Sequence, residues 1–463
     1  MIARDHYQAI VIGSGQGGTP LCHALAKSGL RTLLIERKHL GGTCVNEGCT
    51  PTKTMIASGR VAYLVRRGGD YGVLAADIRI DMERVRQRKR DIVERFRSSL
   101  QKHIANTANL ELLNGEARFT GPKSILVRLT DDSQRALTGD RIFINAGARP
   151  SVPALEGLKD VPFLDSTSIM ELNTLPEHLI VLGGGYVGVE FGQLFRRFGS
   201  RVTVVHHGAR LLRQEDPDVA DGVAAILEED GVKVLLGAKP VRVCQRGSRI
   251  HFTAAVGSEL TELEGSHLLV ATGRIPNTDL LDASAAGIAT DGRGFIQVNE
   301  RLETSQPDVF ALGDITGEPA FTHIAYDDFR ILRTNLIEGG HRTTGERLVP
   351  YTIFIDPQLG RVGLTETEAR AQKRNVRVAR LAMTAVARAL EVDEARGFMK
   401  AIVDADTDRI LGAAVLGIEG GELMAMLQLA MMGNLPYTAL RDAVFAHPTL
   451  AESLNNLFKR FDS

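Results

Sequence analysis

Gly41-Gly42-Thr43-Cys44-Val45-Asn46-Glu47-Gly48-Cys49-Thr50-Pro51-Thr52-Lys53 is the segment around which this 463-residue chain is organised. Two cysteines with four residues between them can lie one helical turn apart, close enough for a disulfide when Cα separation and Cβ direction permit. The pair is therefore a candidate redox couple. The segment follows the apolar run Thr32 to Ile35 and precedes Met55-Ile56-Ala57, which places it on a loop entering a helix. There, orphan backbone N–H groups and the helix dipole stabilise a thiolate, the reactive form of cysteine. Lys53, four residues after Cys49, falls on the same helical face one turn on and brings a positive charge to the couple. Two ordinary buried cysteines beside a glycine turn are the competing reading, since free cysteine is among the most buried residue types.

Upstream, Tyr7 to Ile12 is an apolar run of the kind that forms a buried parallel strand, and it flows into Gly13-Ser14-Gly15-Gln16-Gly17-Gly18 and a helical stretch from Pro20 to Ser28. Gly13, Gly15 and Gly18 permit a tight turn, close approach of a pyrophosphate and close helix-to-strand packing, with phosphate at the helix N-terminus. The next strand, Arg31 to Ile35, ends at Glu36, eighteen residues after Gly18 (36 − 18), where an acid suits a ribose 2′-hydroxyl. This unit reads as a dinucleotide site.

The pattern recurs. Leu179 to Leu182 leads into Gly183-Gly184-Gly185-Tyr186-Val187-Gly188, offset by 183 − 13 = 170 residues. The stretch that closes the first copy, Arg141 to Pro150, returns as Leu269 to Asn277. A duplicated nucleotide architecture implies electron passage between two cofactors. The copies differ at one position, because the count that lands on Glu36 lands on His206 (188 + 18) in the second. A carboxylate there would repel a cofactor 2′-phosphate; its absence removes the main barrier to NADPH, with NADH as the alternative.

Composition bounds the rest. The chain is long enough for two to four domains, and 44% hydrophobic with 24% charged residues is ordinary for a soluble enzyme. With 55 basic and 56 acidic side chains the net charge is −1, which favours neither nucleic acid nor an anionic membrane as partner. Met1 to Asp5 leads toward a strand and lacks the features of a signal peptide, so the cytoplasm is expected. Four cysteines are too few for a secreted disulfide scaffold, which suits a catalytic pair and leaves Cys22 and Cys244 to packing; no metal site is expected. Residues 79–103 read as a long helix rich in arginine and lysine, either a solvated face or a basic surface near the cysteines.

The cysteine segment, with the two glycine turns, resembles the class I pyridine nucleotide-disulfide oxidoreductases, which include dihydrolipoamide dehydrogenase, glutathione reductase and mercuric reductase. The resemblance runs along nearly the whole chain. It implies an α/β fold with two Rossmann-like dinucleotide-binding domains and a C-terminal α+β dimerisation domain. The expected divisions are 1–150 and 277–348 for FAD, 151–276 for NAD(P)H and 349–463 for dimerisation. It implies that Cys44 exchanges with substrate, that Cys49 contacts the flavin by charge transfer, and that Lys53 pairs with Glu190 beside it. Tyr186 matches the tyrosine that covers the flavin until nicotinamide displaces it. Asp314, ending Thr304-Ser305-Gln306-Pro307-Asp308-Val309-Phe310-Ala311-Leu312-Gly313-Asp314, matches the family's second FAD fingerprint, and His323 falls where a helix points at the flavin. His207 and Arg213 fall where glutathione reductase places two arginines on the 2′-phosphate, and Arg274 is assigned with them to the nicotinamide cofactor. His447 and Glu452, in Phe445-Ala446-His447-Pro448-Thr449-Leu450-Ala451-Glu452, match the acid-base dyad that one subunit of a homodimer lends to the disulfide of the other.

The acceptor is less constrained, because one scaffold serves several substrates. Asp356-Pro357-Gln358-Leu359-Gly360-Arg361-Val362-Gly363 is similar to the mercuric reductase branch, yet the chain ends Lys459-Arg460-Phe461-Asp462-Ser463 without that branch's cysteine pair and carries His447 where the branch has none. Asp327-Asp328-Phe329-Arg330-Ile331 and Glu452-Ser453-Leu454-Asn455-Asn456-Leu457-Phe458 are closer to a bacterial branch linked to oxidant and copper stress. Reduction of a small disulfide or oxidant is therefore the expected activity. Reduction of Hg(II) or Cu(II) and a dihydrolipoamide dehydrogenase role in a multienzyme complex are the alternatives.

Overall fold

The computed structural model describes residues 5–317 and 319–462; Met1 to Arg4, read above as leading into the first strand, and the terminal Ser463 lie outside the described residues. The chain divides into two compact units, Met1–Thr54 with Arg84–Ser151 and Gly273–Arg347 in the first, and Met55–Glu83 with Val152–Thr272 and Leu348–Ser463 in the second. Among the described residues no helix is long and apolar enough to cross a membrane.

In the first unit the strand Asp5–Ile12 pairs in parallel with Thr32–Glu36 on one side and Gln134–Ile144 on the other. Thr32–Glu36 continues in parallel to Leu110–Gly121, and Val309–Ala311 joins Gln134–Ile144. Ser124–Leu129 links Leu110–Gly121 to Gln134–Ile144 by antiparallel pairing. Side chains alternate across a strand. Ala9, Val11, Leu34 and Phe143 therefore face a cluster shared with the helix residues Leu21, Leu25, Phe329 and Leu332, whereas Ile10, Ile12, Leu33, Ile35 and Ile142 face a second cluster with Val127 and Phe119. A strand buried on both faces must be a continuous apolar run, which is how Tyr7 to Ile12 reads. Cys22 belongs to the first cluster, where burial pushes its thiol up to about 12.

The two closing stretches that repeat in the sequence meet here. Ala148–Pro150 pairs antiparallel with Arg274–Pro276, and Arg149 donates to Pro276 O and to both oxygens of Asp279. This ladder brings Gly273 and the residues after it into the first unit, a few residues before the boundary read from the sequence.

The basic helix spans Met82–Ala105, starting just after Asp81, a residue type that caps helix N-termini. Its cations are not all solvated: Lys89 is 3% exposed. Arg97 Nε donates to Asn46 Oδ1 at 2.7 Å and Arg88 donates to Thr54 O at 2.7 Å, so the helix holds the cysteine segment from one side.

The second unit contains a parallel sheet ordered Lys233–Leu235, Arg201–Val205, His178–Leu182, His267–Val270, Phe163–Leu164. The helix Tyr186–Phe198 follows the second glycine turn. The same unit carries an antiparallel sheet of Tyr351–Ile353, Gln358–Gly363, Ile410–Gly417, Phe398–Asp404 and Val376–Ala382. Val376–Ala382 lies at the sheet edge, where Arg377 and Arg380 interrupt the apolar pattern as charges on edge strands commonly do.

Candidate active site

The expected loop is a short helix, Gly42–Asn46, followed by the 18-residue helix Cys49–Arg66. Cys44 therefore sits in one helix and Cys49 opens the next, so the two are not successive turns of a single helix. Gly41 and Gly42 both adopt positive φ, and a Cβ on Gly42 would lie 2.7 Å from Gly15 Cα, so this segment packs directly on the first glycine turn. Asn46 fixes the short helix by donating to Leu40 O and Gly42 O while accepting from Arg97.

Both sulfurs are free thiols. They are not equivalent. The Cys44 thiol is pushed well above its ordinary range by its hydrogen bond with Cys49, then by burial and by the Cys49 charge, while Thr322 and Lys53 act in the opposite direction. A proton thus belongs on Cys44. Cys49 Sγ lies 3.2 Å from Thr322 Oγ1, and Thr322 is the first residue of the helix Thr322–Leu336. A hydroxyl donating to the sulfur and the N-terminus of its own helix both favour a Cys49 thiolate. No local spacing marks Thr322 in the sequence; its neighbour His323 has an exposed imidazole that stacks on Phe321 with centroids 5.4 Å apart.

The first glycine turn has the shape of a pyrophosphate cradle. Gly13 has φ +100°, a Cβ there would lie 2.3 Å from Asn145 O, and one on Gly18 would lie 2.2 Å from Gly13 O. Asn145 Oδ1 accepts the Gly18 N–H at 2.9 Å and its amide donates to Leu312 O, a tie between turn and strand that no local motif announces. Buried Glu36 accepts from Ser14 N at 3.0 Å and Ser14 Oγ at 2.6 Å through one oxygen, and from Lys38 N through the other. Asp314 is raised by burial and opposed by Arg274, whose Nε lies 3.9 Å away. Arg274, read from the sequence as a nicotinamide ligand, is thus placed against Asp314 and the Ala148 carbonyl in the first unit. Asp328 supports the same turn: it accepts the Gly313 N–H at 2.8 Å and pairs with Arg347 at 2.5 Å. A glycine-rich turn at a helix N-terminus, with one carboxylate at the strand end and another at Asp314, fits FAD.

The second turn repeats this construction. Gly183 has φ +123° with its Cβ position 2.3 Å from Ala271 O, Gly188 would meet Gly183 O at 2.0 Å, and the Cβ position of Gly185 is open. Half-buried Tyr186 starts the helix, and exposed His207 and Arg213 follow the strand Arg201–Val205. Glu190 is 4% exposed, which excludes a solvent-facing helix charge, and its Oε1 accepts the Phe354 N–H at 2.8 Å. Lys53 belongs to the first unit, where its charge bears on Cys44.

The side chains of His447 and Glu452 are in hydrogen-bond contact. The imidazole Nδ1 meets Glu452 Oε2 at 2.8 Å, leaving Nε2 directed elsewhere on a side chain that is 68% exposed. Thr449 braces the dyad, accepting from Glu452 N and donating to Ala446 O.

Comparison with known proteins agrees with this geometry. The pyridine nucleotide-disulphide oxidoreductase model matches residues 7–328 and the dimerisation domain of the same name matches residues 349–458. The probable pyridine nucleotide-disulfide oxidoreductase RclA of Escherichia coli is 39% identical, covering 98% of this chain and 99% of its own. A mercuric reductase of Lysinibacillus sphaericus is 32% identical, covering 100% of this chain and 84% of its own. The solved Cu(II) complex of the HOCl-induced flavoprotein disulfide reductase RclA superposes with a TM-score of 0.90 at 38% identity, covering 98% of this chain and 99% of that one.

Proposed function

The chain belongs to the pyridine nucleotide-disulphide oxidoreductase family and is a flavoprotein disulfide oxidoreductase; on that footing we propose that it draws electrons from NADPH and delivers them through Cys44 and Cys49 to a small disulfide or oxidant. The observation that supports this reading is the asymmetry of the pair, a protonated Cys44 beside a Cys49 held by Thr322. FAD, when bound along the first glycine turn with Glu36 and Asp314, supplies two-electron transfer between nicotinamide and the cysteines.

The cysteines and the dyad do the rest. His447, supplied by a second copy of the chain, takes the proton from Cys44, and the resulting thiolate attacks one sulfur of the acceptor. A mixed disulfide forms, and the departing thiolate takes the proton back from His447. The Cys49 thiolate then attacks the Cys44 sulfur, the Cys44–Cys49 disulfide closes, and the second product leaves as a thiolate that takes its proton from solvent. Glu452 holds the imidazole so that Nε2 faces the sulfur and stabilises its charged form.

The dyad favours a disulfide or oxidant over a metal ion as acceptor, since reducing Hg(II) or Cu(II) leaves no thiolate to protonate. The names of the relatives keep metal ions as the second reading. An acceptor screen with NADPH and NADH, covering lipoamide, glutathione disulfide, Hg(II), Cu(II) and quinones, tests this in the wild type and His447→Ala. Disulfide turnover is expected to fall about a hundredfold or more in the variant, with flavin reduction by nicotinamide unchanged in stopped flow. Turnover of metal ions alone, equal in both proteins, would replace the first reading with the second.

A further inference from the structure

The two nucleotide turns are built on the same plan with one exchange of parts. In the first, Glu36 Oε2 accepts the backbone N–H of Ser14, the residue between the first two glycines, and its hydroxyl. Residues offset by 170 occupy the same places in the second: Gly184 for Ser14 (184 − 14) and His206 for Glu36 (206 − 36). There, His206 Nδ1 accepts the backbone N–H of Gly184 at 3.2 Å. The imidazole lies where the Ser14 side chain would have its counterpart, since a Cβ on Gly184 would fall 2.7 Å from His206 Cγ. Serine with glutamate has become glycine with histidine, and the hydrogen bond to the turn survives.

The exchange fixes the state of the ring. Nδ1 accepts, so it carries no proton. The ring also bonds to the Arg210 backbone in a way that favours protonation, which makes Nε2–H the donor. A neutral imidazole therefore bridges the glycine turn and the following loop, whose Leu212 N–H in turn donates to Gly184 O at 3.0 Å. Burial, then His207 with its ring centroid 4.9 Å away, hold His206 below the ordinary imidazole range. The ionisable groups on the loop besides His206 are His207, Arg210, Arg213, Glu215 and Asp216, with Arg210 paired to Asp221. The glycine turn carries one ionisable side chain, Tyr186, and residues 235–238, which bond the His206 backbone, carry none.

We propose that His206 is a positioning and specificity-determining residue of the nicotinamide site, anchoring the second glycine turn with an uncharged acceptor so that the turn stays fixed while the pocket admits a cofactor 2′-phosphate. This rests on the nicotinamide reading of that turn and deepens it. Absence of an acid would by itself admit NADPH but leave the Gly184 N–H without its partner. His206 supplies the partner without the charge.

Steady-state kcat and KM for NADPH and NADH across pH, in the FAD-loaded wild type, His206→Glu, His206→Gln and His206→Ala, test this. His206→Glu keeps an acceptor for Gly184 and restores the charge of Glu36, so NADH-over-NADPH selectivity is expected to rise at least tenfold, mainly in KM. Adding Gly184→Ser to His206→Glu recreates the first turn in full and guards against a poorly folded single variant. His206→Ala should weaken both cofactors by a common factor. The wild-type kcat/KM is expected to fall at low pH as the ring protonates and loses Gly184, and His206→Gln, a neutral acceptor, to lose that limb. Equal losses for both cofactors in His206→Glu and in the double variant, or a low-pH limb unchanged in His206→Gln, would overturn the inference. A wild type that prefers NADH would overturn the NADPH reading alone, because the selectivity change in His206→Glu would still be measurable. If no variant alters KM for either cofactor, the nicotinamide reading of the turn fails with it.

Discussion

Cys44 and Cys49 have the same side chain in different surroundings: Cys44 sits inside the short helix Gly42–Asn46, whereas Cys49 begins an 18-residue helix with Thr322 Oγ1 3.2 Å from its sulfur. The hydrogen bond with Cys49, burial and the Cys49 charge keep the proton on Cys44, outweighing Thr322 and Lys53, which pull the other way. Thr322→Val keeps shape and removes the donor. On the proposed reading a Cys49 thiolate against the flavin gives the reduced enzyme a long-wavelength absorption, which should appear at a higher pH in Thr322→Val than in the wild type and be restored in Thr322→Ser. An unchanged pH profile in Thr322→Val would show that the hydroxyl is a bystander. None of this was readable as a motif: Thr322 and Cys49 are 273 residues apart, whereas Cys44, Cys49 and Lys53 announce themselves by local spacing.

At the scale of elements, the helix Tyr186–Phe198 is tied to the segment Phe354 to Asp356 by three successive inward-facing side chains. Glu190 accepts from Phe354 N, Gln193 exchanges hydrogen bonds with the Asp356 backbone, and Arg197 pairs with the Asp356 carboxylate, which Arg60 meets from another side. The Arg197 guanidinium also lies 3.9 Å from the Tyr63 ring centroid. Burial raises Asp356, but Arg197 and Arg60 outweigh it and hold the carboxyl below its ordinary range. A carboxyl depressed in the fold stabilises it above the unfolded value and loses that contribution as pH falls through the folded one. Removing Arg197 leaves Asp356 to Arg60 and Asp230 to Arg396, so the loss is that of charged hydrogen bonds, about 1.5 to 3 kcal/mol. Arg197→Met should therefore lower the unfolding free energy at neutral pH by that amount, and its stability should fall less steeply below about pH 4 than that of the wild type. Equal stability by urea unfolding at pH 7 would remove the network from the account. Strands and glycine turns were legible in the sequence because period-two burial and positive-φ glycines leave local signatures. The ties that set the site, Asn145 to Gly18, Asp328 to Gly313 and Arg97 to Asn46, join distant residues whose types are common and carry no spacing rule.

For the whole molecule, the family assignment and the two nucleotide turns describe a machine that stores electrons in two places, the flavin and the cysteine pair. In the second unit Leu429, Met432, Leu435 and Val444 are exposed within the part matched by the dimerisation-domain model. Electron capacity tests the central claim most directly. Anaerobic titration of the oxidised enzyme with dithionite should consume four electrons per chain in the wild type, two for FAD and two for the disulfide, with two thiols appearing as the second pair is taken up. Cys44→Ser and Cys49→Ser should each consume two. A wild type that is fully reduced by two electrons, or a cysteine variant that still takes four, would contradict the assignment of Cys44 and Cys49 as the redox couple.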